Sequence, residues 1–441
     1  MPPEDSILPK LTGQELIELS IDQKLALEQI PDMSTYGRCI FITGRAGTGK
    51  STVLRELALK SPMKKVVLAP TGLAAINAGG QTIHSFFNFK LGPLEDDPDL
   101  CHMFKKGGQK HRLIKNLECL IIDEVSMVRA DVMDAIDYSL RENRDIDEPF
   151  GGLTVICFGD LWQLEPVVQT GAEEEMIAHR YASPFFFDSD VVRETSLDVY
   201  ELQTVHRQKD DPEFLYALNL LRKGDMSELD FFNSRVNAQL PSSNVLTLTA
   251  TNAKANAINL GTLARLNGRA AVYKGEADGD FGKDFPVDPL LTLKVGAQIM
   301  FVKNSIEWVN GSLGTVLAME PDELTVLLDD GRTVSVQRES WEKTKYTWDG
   351  YSGRIDRTPV GTYVQFPVKL AWAVTIHKSQ GLTFDRVRID MDTKAFAHGQ
   401  LYVAMSRCRT LNGISLKRPI SMDDCIVSSR ILEFERLAGL S

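Results

Sequence analysis

Apolar positions along this chain follow two different spacings, and the change from one to the other divides it. Short runs with little or no polar interruption recur in "RCIFIT", "KKVVLAP", "ECLIIDEVSM" and "LTVICFGD". Runs of this length and β-rich composition predict strands, and the four apolar residues Cys119 to Ile122 read as a central parallel strand, covered on both faces. Behind the first run the spacing turns helical: in "KSTVLRELALK" the apolar residues Val53, Leu54, Leu57 and Ala58 fall at helical intervals. "LTATNAKANAIN" marks another strand-to-helix junction, "LDVYELQTVHRQ" is a β-rich run, and "LYVAMSRCRT" has helix-compatible spacing. From about residue 268 to residue 368 the pattern becomes one of short strands, "VGAQIMFVKN", "GSLGTVLAM" and "ELTVLLDDGRTVSVQ", with Asp330-Gly331 expected as a hairpin turn. Residues 86–116 are rich in turn signals and too polar to read as core. The prediction is an α/β protein carrying two insertions.

The loops that follow the predicted strands carry the chemistry. "FITGRAGTGKST" fits the phosphate-binding pattern at Gly44, Gly49, Lys50 and Ser51. A strand, a glycine loop and a helix N-terminus together aim backbone N–H groups at phosphates. Lys50 would reach the β- and γ-phosphates of a nucleotide, and the Ser51 hydroxyl would ligate Mg²⁺. Asp123 and Glu124 emerge at the end of the third apolar run, where open α/β sheets hold their ligands. Alone, an Asp-Glu pair there is often a solvated strand end. Beside a phosphate loop, Asp123 suits the metal and Glu124 suits polarising an attacking water. Gln163 follows the strand of "LTVICFGD" and could hydrogen-bond a γ-phosphate.

Totals narrow the class. A chain of 441 residues, 43% hydrophobic and 25% charged, is expected to fold as a soluble protein of several domains. It has no apolar run long enough to span a membrane, and "MPPEDSILPK" carries acid where a leader would carry base. The expected compartment is the cytoplasm, near the nucleoid, in a prokaryote or virus, or the nucleus in a eukaryote. Six cysteines without a C-x-x-C spacing read as reduced thiols rather than a zinc site. A net charge of -11 argues against coating in nucleic acid by bulk electrostatics, while leaving room for a local basic channel.

"GRAGTGKS", "APTGLAAINAGGQTIHSFF", "IIDEVSM", "GDLWQLEPV", "LQTVHRQ", "AWAVTIHKSQGLTFDRV" and "LYVAMSRCR" stand in an order that resembles the superfamily 1 DNA helicases that move 5′ to 3′. Residues 132–152 resemble the signature of the Pif branch, whose relatives include Dda and RecD. The resemblance runs from about residue 19 to residue 409 and looks like that of a minimal catalytic core. It implies two RecA-like motor domains: residues 1–190, with a wedge insertion at about 86–116, and residues 191–267 with 369–441. Between the two pieces of the second, residues 268–368 would form an inserted SH3-like β-barrel.

The resemblance also assigns roles. Arg207 and Arg407, each by itself readable as a surface charge, become candidates for arginine fingers on the γ-phosphate. Gln23 would select adenine, and Ala46, Gly47, Thr48, Thr52 and Gly381 would join the nucleotide contacts. DNA backbone and bases would be held by Thr71, His84, Ser85 and Phe86 in one motor domain, and by Thr251, Asn252, Thr375, His377 and Lys378 in the other. ATP with Mg²⁺, single-stranded DNA, and fork or overhang duplexes are the implied ligands, and the motor is expected to work as a monomer away from membranes. From the residues alone, an RNA helicase and a DNA-independent ATP-driven switch stay open.

Overall fold

The computed structural model describes residues 19–28, 30, 37–90, 92–94, 104–206, 211–240, 244–282, 285–349, 351–352, 354–391, 395 and 397–440. The four apolar runs become strands of one sheet. β1 (Cys39–Gly44), β2 (Lys65–Ala69), β3 (Gln81–Thr82), β4 (Cys119–Ile122), β5 (Thr154–Phe158) and β6 (Leu197–Leu202) lie in the order 3-2-4-5-1-6. Every pairing is parallel. Alternate residues of β1 serve opposite faces. Ile40 and Ile42 pack with Val53, Leu54 and Leu57 of the helix Lys50–Lys60, while Cys39 and Phe41 pack with Met133, Ile136 and Leu140 of the helix Ala130–Arg144. Two cores share one strand, which explains why it contains no polar alternation.

A second sheet begins with β7 (Leu246–Thr249) and is then interrupted. Among the described residues ten antiparallel strands intervene: β8 (Ala271–Lys274), β9 (Glu276–Gly279), β10 (Leu290–Leu293), β11 (Gln298–Phe301), β12 (Leu313–Met319), β13 (Glu323–Leu328), β14 (Thr333–Gln337), β15 (Glu339–Asp349), β16 (Arg354–Gln365) and β17 (Val368–Leu370). Most surround a core of their own, built on Leu291, Ile299, Val316, Val326 and Val336. The expected turn at Asp330-Gly331 joins β13 to β14, with Gly331 at a φ of 88° that favours glycine. β18 (Ala373–Thr375), β19 (Val387–Asp390) and β20 (Ile414–Leu416) then complete a parallel sheet in the order 18-7-19-20. Among the described residues no helix is long and apolar enough to cross a membrane.

Several placements differ from the sequence reading. β6 lies beyond the division at residue 190, yet it pairs with β1 from Cys39↔Leu197 to Gly44↔Leu202 and so belongs to the first sheet. The polar insertion is tied into the first core. Leu94, Phe104, Leu113 and Ile114 are buried, Asp131 accepts the Leu94 N–H at 2.9 Å and Asn143 accepts that of Phe104 at 3.0 Å. Within the insertion, residue 91 and residues 95–103 lie outside the described residues. The segment "WEKTKYTWDGY" forms much of the β15–β16 hairpin, and that hairpin reaches the first sheet. β3 is only two residues long, and on that side of β2 the Val67 N–H finds its acceptor in the Tyr346 hydroxyl at 3.0 Å. Gln81 donates to the Thr344 carbonyl at 2.9 Å, and Tyr346 joins the first core.

The two parallel sheets meet along a seam. The last helix, Ser429–Ala438, packs on the first half: Ile431 enters its core, Phe434 stacks on Phe187 at 4.4 Å between ring centroids, and Arg430 pairs with Asp188 at 2.6 Å. His398 Nε2 lies 2.9 Å from the Leu161 carbonyl, and its Nδ1 accepts the Ser428 N–H at 3.0 Å, so the ring is neutral and Nε2 donates. Gly399, at φ 70°, approaches closely enough that a Cβ would lie 2.2 Å from the Gln163 carbonyl oxygen and 2.5 Å from that of Trp162. Gly399→Ala should therefore force the seam apart, at an overpacking cost of about 1–3 kcal/mol. Urea unfolding of that variant with unchanged stability would show the contact to be slack.

Candidate functional site

The phosphate loop sits where β1 ends and the helix Lys50–Lys60 begins. Gly49 adopts a φ of 82°, and a Cβ there would lie 2.3 Å from Gln23 Nε2, so two constraints require glycine. Gln23 is buried, donates to the Thr48 carbonyl at 3.0 Å and accepts the Ser20 N–H at 3.0 Å. Its amide thus braces the loop from behind at both ends. Thr48 is also buried, its hydroxyl tied to the Arg45 carbonyl at 3.0 Å. Lys50 Nζ rests on the carbonyls of Gly44 at 2.6 Å and Arg45 at 3.2 Å. Ala46, Gly47, Gly49, Lys50 and Ser51 line a cleft of about 340 Å³, while Thr52 lies in the first helical turn behind them.

The acidic pair faces this loop across the cleft. Asp123 accepts the Glu124 N–H at 3.0 Å. Glu124 has φ 50° and ψ 44°, a left-handed conformation that costs a non-glycine residue of order 1–3 kcal/mol and that collects at functional sites. Burial, and then the neighbouring Asp123 carboxylate, push the Glu124 carboxyl up to about 7. Burial also raises Asp123. A carboxylate short of solvent on the same cleft as Ser51 suits a hard cation that takes most of its ligands from phosphate and water. Ser51 and Asp123 are the residues that would hold Mg²⁺.

Gln163 lines the same cleft and donates to Asp160 at 3.1 Å. The remaining wall comes from the second half of the chain. Gln380 donates through Nε2 to Glu124 Oε2 at 3.1 Å and to Gln163 Oε1 at 3.3 Å. Gly381 and Arg407 line the cleft beside it. Arg407 is buried, with N–H groups bonded to the carbonyls of Val403 at 2.9 Å and Leu382 at 3.2 Å and to the Ser406 hydroxyl at 2.9 Å. Burial pulls its pKa down, against the attraction of Tyr402 and Glu124. Arg207, the other expected finger, lies outside the described residues, although His206 just before it lines the cleft.

Sequence reasoning passed over four participants. Gln380 stands in the quoted "TIHKSQG", next to Gly381. Tyr402 accepts the Ala46 N–H at 3.2 Å, so a hydroxyl from the second half touches the phosphate loop. Asp160 and Arg222 form a buried pair at 3.1 Å across the seam. Despite burial, Arg222 and Lys50 hold the Asp160 carboxyl below its ordinary value. Tyr402 and Asp160 lie inside the motifs "LYVAMSRCR" and "GDLWQLEPV", whereas Arg222 carries no local signal.

The expected DNA contacts separate into two sets with a dissenter. Thr71 follows β2 and caps the helix Gly72–Ala78 by accepting the Ala74 N–H at 3.2 Å. Thr251 follows β7 and caps the helix Asn252–Arg265 by accepting the Lys254 N–H at 3.3 Å, with Asn252 exposed beside it. The two threonines thus occupy the same place in the two sheets. At the end of β18, Thr375 is buried and its hydroxyl accepts the Lys378 N–H at 3.3 Å, leaving His377 half-buried and Lys378 exposed. His84 and Ser85 are half-buried on the short helix Ile83–Phe87. Phe86 cannot stack on bases as placed: it is fully buried against Phe87 and Tyr346, with Lys110 Nζ 3.2 Å from its ring centroid. Of the two adjacent aromatics on that helix, both turn inward.

Residues 18–230 match the PIF1-like helicase family model, and residues 370–413 match the UvrD-like helicase C-terminal domain. The chain is 33% identical over 438 residues to the ATP-dependent DNA helicase Pif1 of Bdellovibrio bacteriovorus, covering 95% of this chain and 92% of that one. This chain belongs to the PIF1-like helicase family. It spans less than two thirds of its zebrafish, Xenopus and Candida relatives. Its structure is similar to that of Bacteroides sp Pif1 in complex with ADP-AlF4, with a TM-score of 0.87 at 38% identity, covering 96% of this chain and 97% of that one. Bacteroides Pif1 bound to ssDNA matches over the same shares and identity with a TM-score of 0.69.

If Gln380 holds Glu124 in place, its removal should act on turnover more than on nucleotide affinity. A hydrogen bond to a charged group is worth about 1.5–3 kcal/mol, so Gln380→Ala should lower kcat roughly 10- to 100-fold. A variant that instead raised KM for ATP with kcat intact would assign Gln380 to binding.

Proposed function

We propose that this ATP-dependent DNA helicase moves 5′ to 3′ along single-stranded DNA and opens duplexes ahead of it, and that the two halves meeting at the nucleotide cleft are its motor domains. The observation that carries the reading is the Gln380 amide, which joins the carboxylate of the first half to the second half at the cleft. Lys50 would move from its carbonyl rests onto the β- and γ-phosphates. Ser51 and Asp123 would hold Mg²⁺, whose charge offsets that of the phosphates. Glu124 would orient the attacking water and accept its proton, a task suited to a carboxyl tuned to about 7. Gln163 would report the γ-phosphate to Asp160, and Arg407, with Arg207 in the family's finger position, would stabilise charge on the transferring group.

Thr71 on the first half and Thr251 with Thr375 on the second supply two grips on a phosphate backbone. Movement follows if the seam between them opens and closes once per ATP. His84 and Ser85 would extend the first grip, and Asn252, His377 and Lys378 the second. Residues 86–116 would supply the wedge and the strands of residues 268–368 the SH3-like barrel.

Three experiments test this reading. Lys50→Ala should leave ATP turnover near background. Glu124→Gln keeps the side-chain shape but removes the base, so kcat should collapse with little change in ATP affinity; parallel losses of affinity and rate would make Glu124 structural. On tailed duplexes, unwinding should require a 5′ overhang. Opening only from a 3′ overhang would overturn the polarity, and equal activity on an RNA-tailed strand would widen the substrate.

A further inference from the structure

Arg222 is the last residue of the helix Pro212–Arg222, whose Phe214, Ala217, Leu218 and Leu221 belong to the core of the second half. Its guanidinium crosses the seam, lying over the Trp162 ring at 5.5 Å from the centroid and placing Nη2 3.1 Å from Asp160 Oδ1. Both charges are buried. Yet the pair is held by one prong. Among the described residues the other two nitrogens of the guanidinium, Nε and Nη1, are buried without an acceptor. A guanidinium offers a carboxylate two parallel N–H groups, and a buried ion pair offsets its loss of water only when such further bonds are made. Nη2 forms one fork with Nε and another with Nη1, so the second prong is an orphan whichever fork is used. The oxygen that would receive it is occupied. Asp160 Oδ2 accepts the Gln163 amide at 3.1 Å, while Oδ1 also takes the Trp162 N–H at 3.2 Å. One buried carboxylate is thus shared between an arginine of the second half and the glutamine that lines the nucleotide cleft.

We propose that Arg222 is a positioning residue for hydrolysis: when a γ-phosphate draws the Gln163 amide into the cleft, Arg222 takes the vacated Asp160 oxygen with its second prong, which keeps Gln163 on the nucleotide and tightens the seam. The inference rests on the reading that Gln163 meets the γ-phosphate. It gives that contact a receiver in the second half, at the end of a helix packed into the second core. After the phosphate leaves, Gln163 returns to Asp160 and the hold of Arg222 falls back to one bond.

The test is a double-mutant cycle on kcat of the full chain at saturating single-stranded DNA, with the wild type, Arg222→Lys, Gln163→Ala and the two combined. Lysine keeps the charge and one bond to Asp160 but has no fork. Arg222→Lys should lower kcat roughly 10-fold, the worth of one hydrogen bond to a charged group, with little change in KM for ATP. Once Gln163 is alanine, the same substitution should cost nothing more. An equal loss in both backgrounds would overturn the proposal, since Arg222 would then act on the fold and not through Gln163. Wild-type kcat for Arg222→Lys would overturn it by showing the second prong idle. Full activity of Gln163→Ala would instead strike the reading of Gln163 itself, and this proposal with it. A structure of the wild-type chain with a non-hydrolysable ATP analogue and single-stranded DNA tests the exchange without any substitution. Both Asp160 oxygens should then accept from Arg222, and a Gln163 amide still bonded to Asp160 beside the γ-phosphate would overturn the proposal.

Discussion

The Gln380 side chain has one amide nitrogen with two hydrogens, and both are committed across the seam, to Glu124 and to Gln163. That geometry constrains much of the rest. Glu124 can serve as a base only if it is kept from water yet held in one orientation, and its left-handed backbone means that this orientation is held against local preference. The strand before it supplies rigidity, and Gln380 supplies the partner. Since Gln380 belongs to the second half, the Glu124 carboxylate has this partner only when the halves are together. Tyr402 on the Ala46 N–H and Arg222 on Asp160 repeat the same logic at two other points of the seam.

The two parallel sheets make this economical. In each, a strand ends at a threonine whose hydroxyl caps the following helix, Thr71 after β2 and Thr251 after β7, while the first sheet alone carries the phosphate loop. On the proposed reading, movement at the seam would be sensed at both places: in the cleft as the distance of Gln380 and Arg407 from Glu124, and at the strand ends as the spacing of the proposed grips. The β15–β16 hairpin adds a further link, since Tyr346 and Thr344 bind the exposed flank of β2 and β3. Any displacement of the insert must release those bonds and bare the Val67 N–H.

What the chain discloses in advance follows from how local each determinant is. Uninterrupted apolar runs predicted β1, β2, β4 and β5 because burial on both faces leaves no position for a polar residue. The phosphate loop and the acidic pair were legible because they need particular residue types at fixed spacings. Membership of β6 in the first sheet was not, since a strand's pattern shows that it pairs and not with whom. Phe86 misled because an aromatic beside a histidine suits base stacking and core packing equally, and the deciding neighbour, Tyr346, lies 260 positions away. Leu94 and Phe104 were hidden by the polar average of the segment around them. Gln380 could have been singled out by the same reasoning as Gln163, as an amide following a buried strand, whereas Arg222 has no signal short of the fold.

On the proposed reading, hydrolysis and the DNA grips depend on one seam. The most direct measurement is the steady-state rate of ATP hydrolysis at saturating ATP, with and without single-stranded DNA. A strand held by Thr71 on one side and Thr251 and Thr375 on the other should bring the halves into register and raise the rate strongly. A rate indifferent to DNA, in a protein that binds the strand tightly, would contradict the account, because cleft and grips would then be working separately.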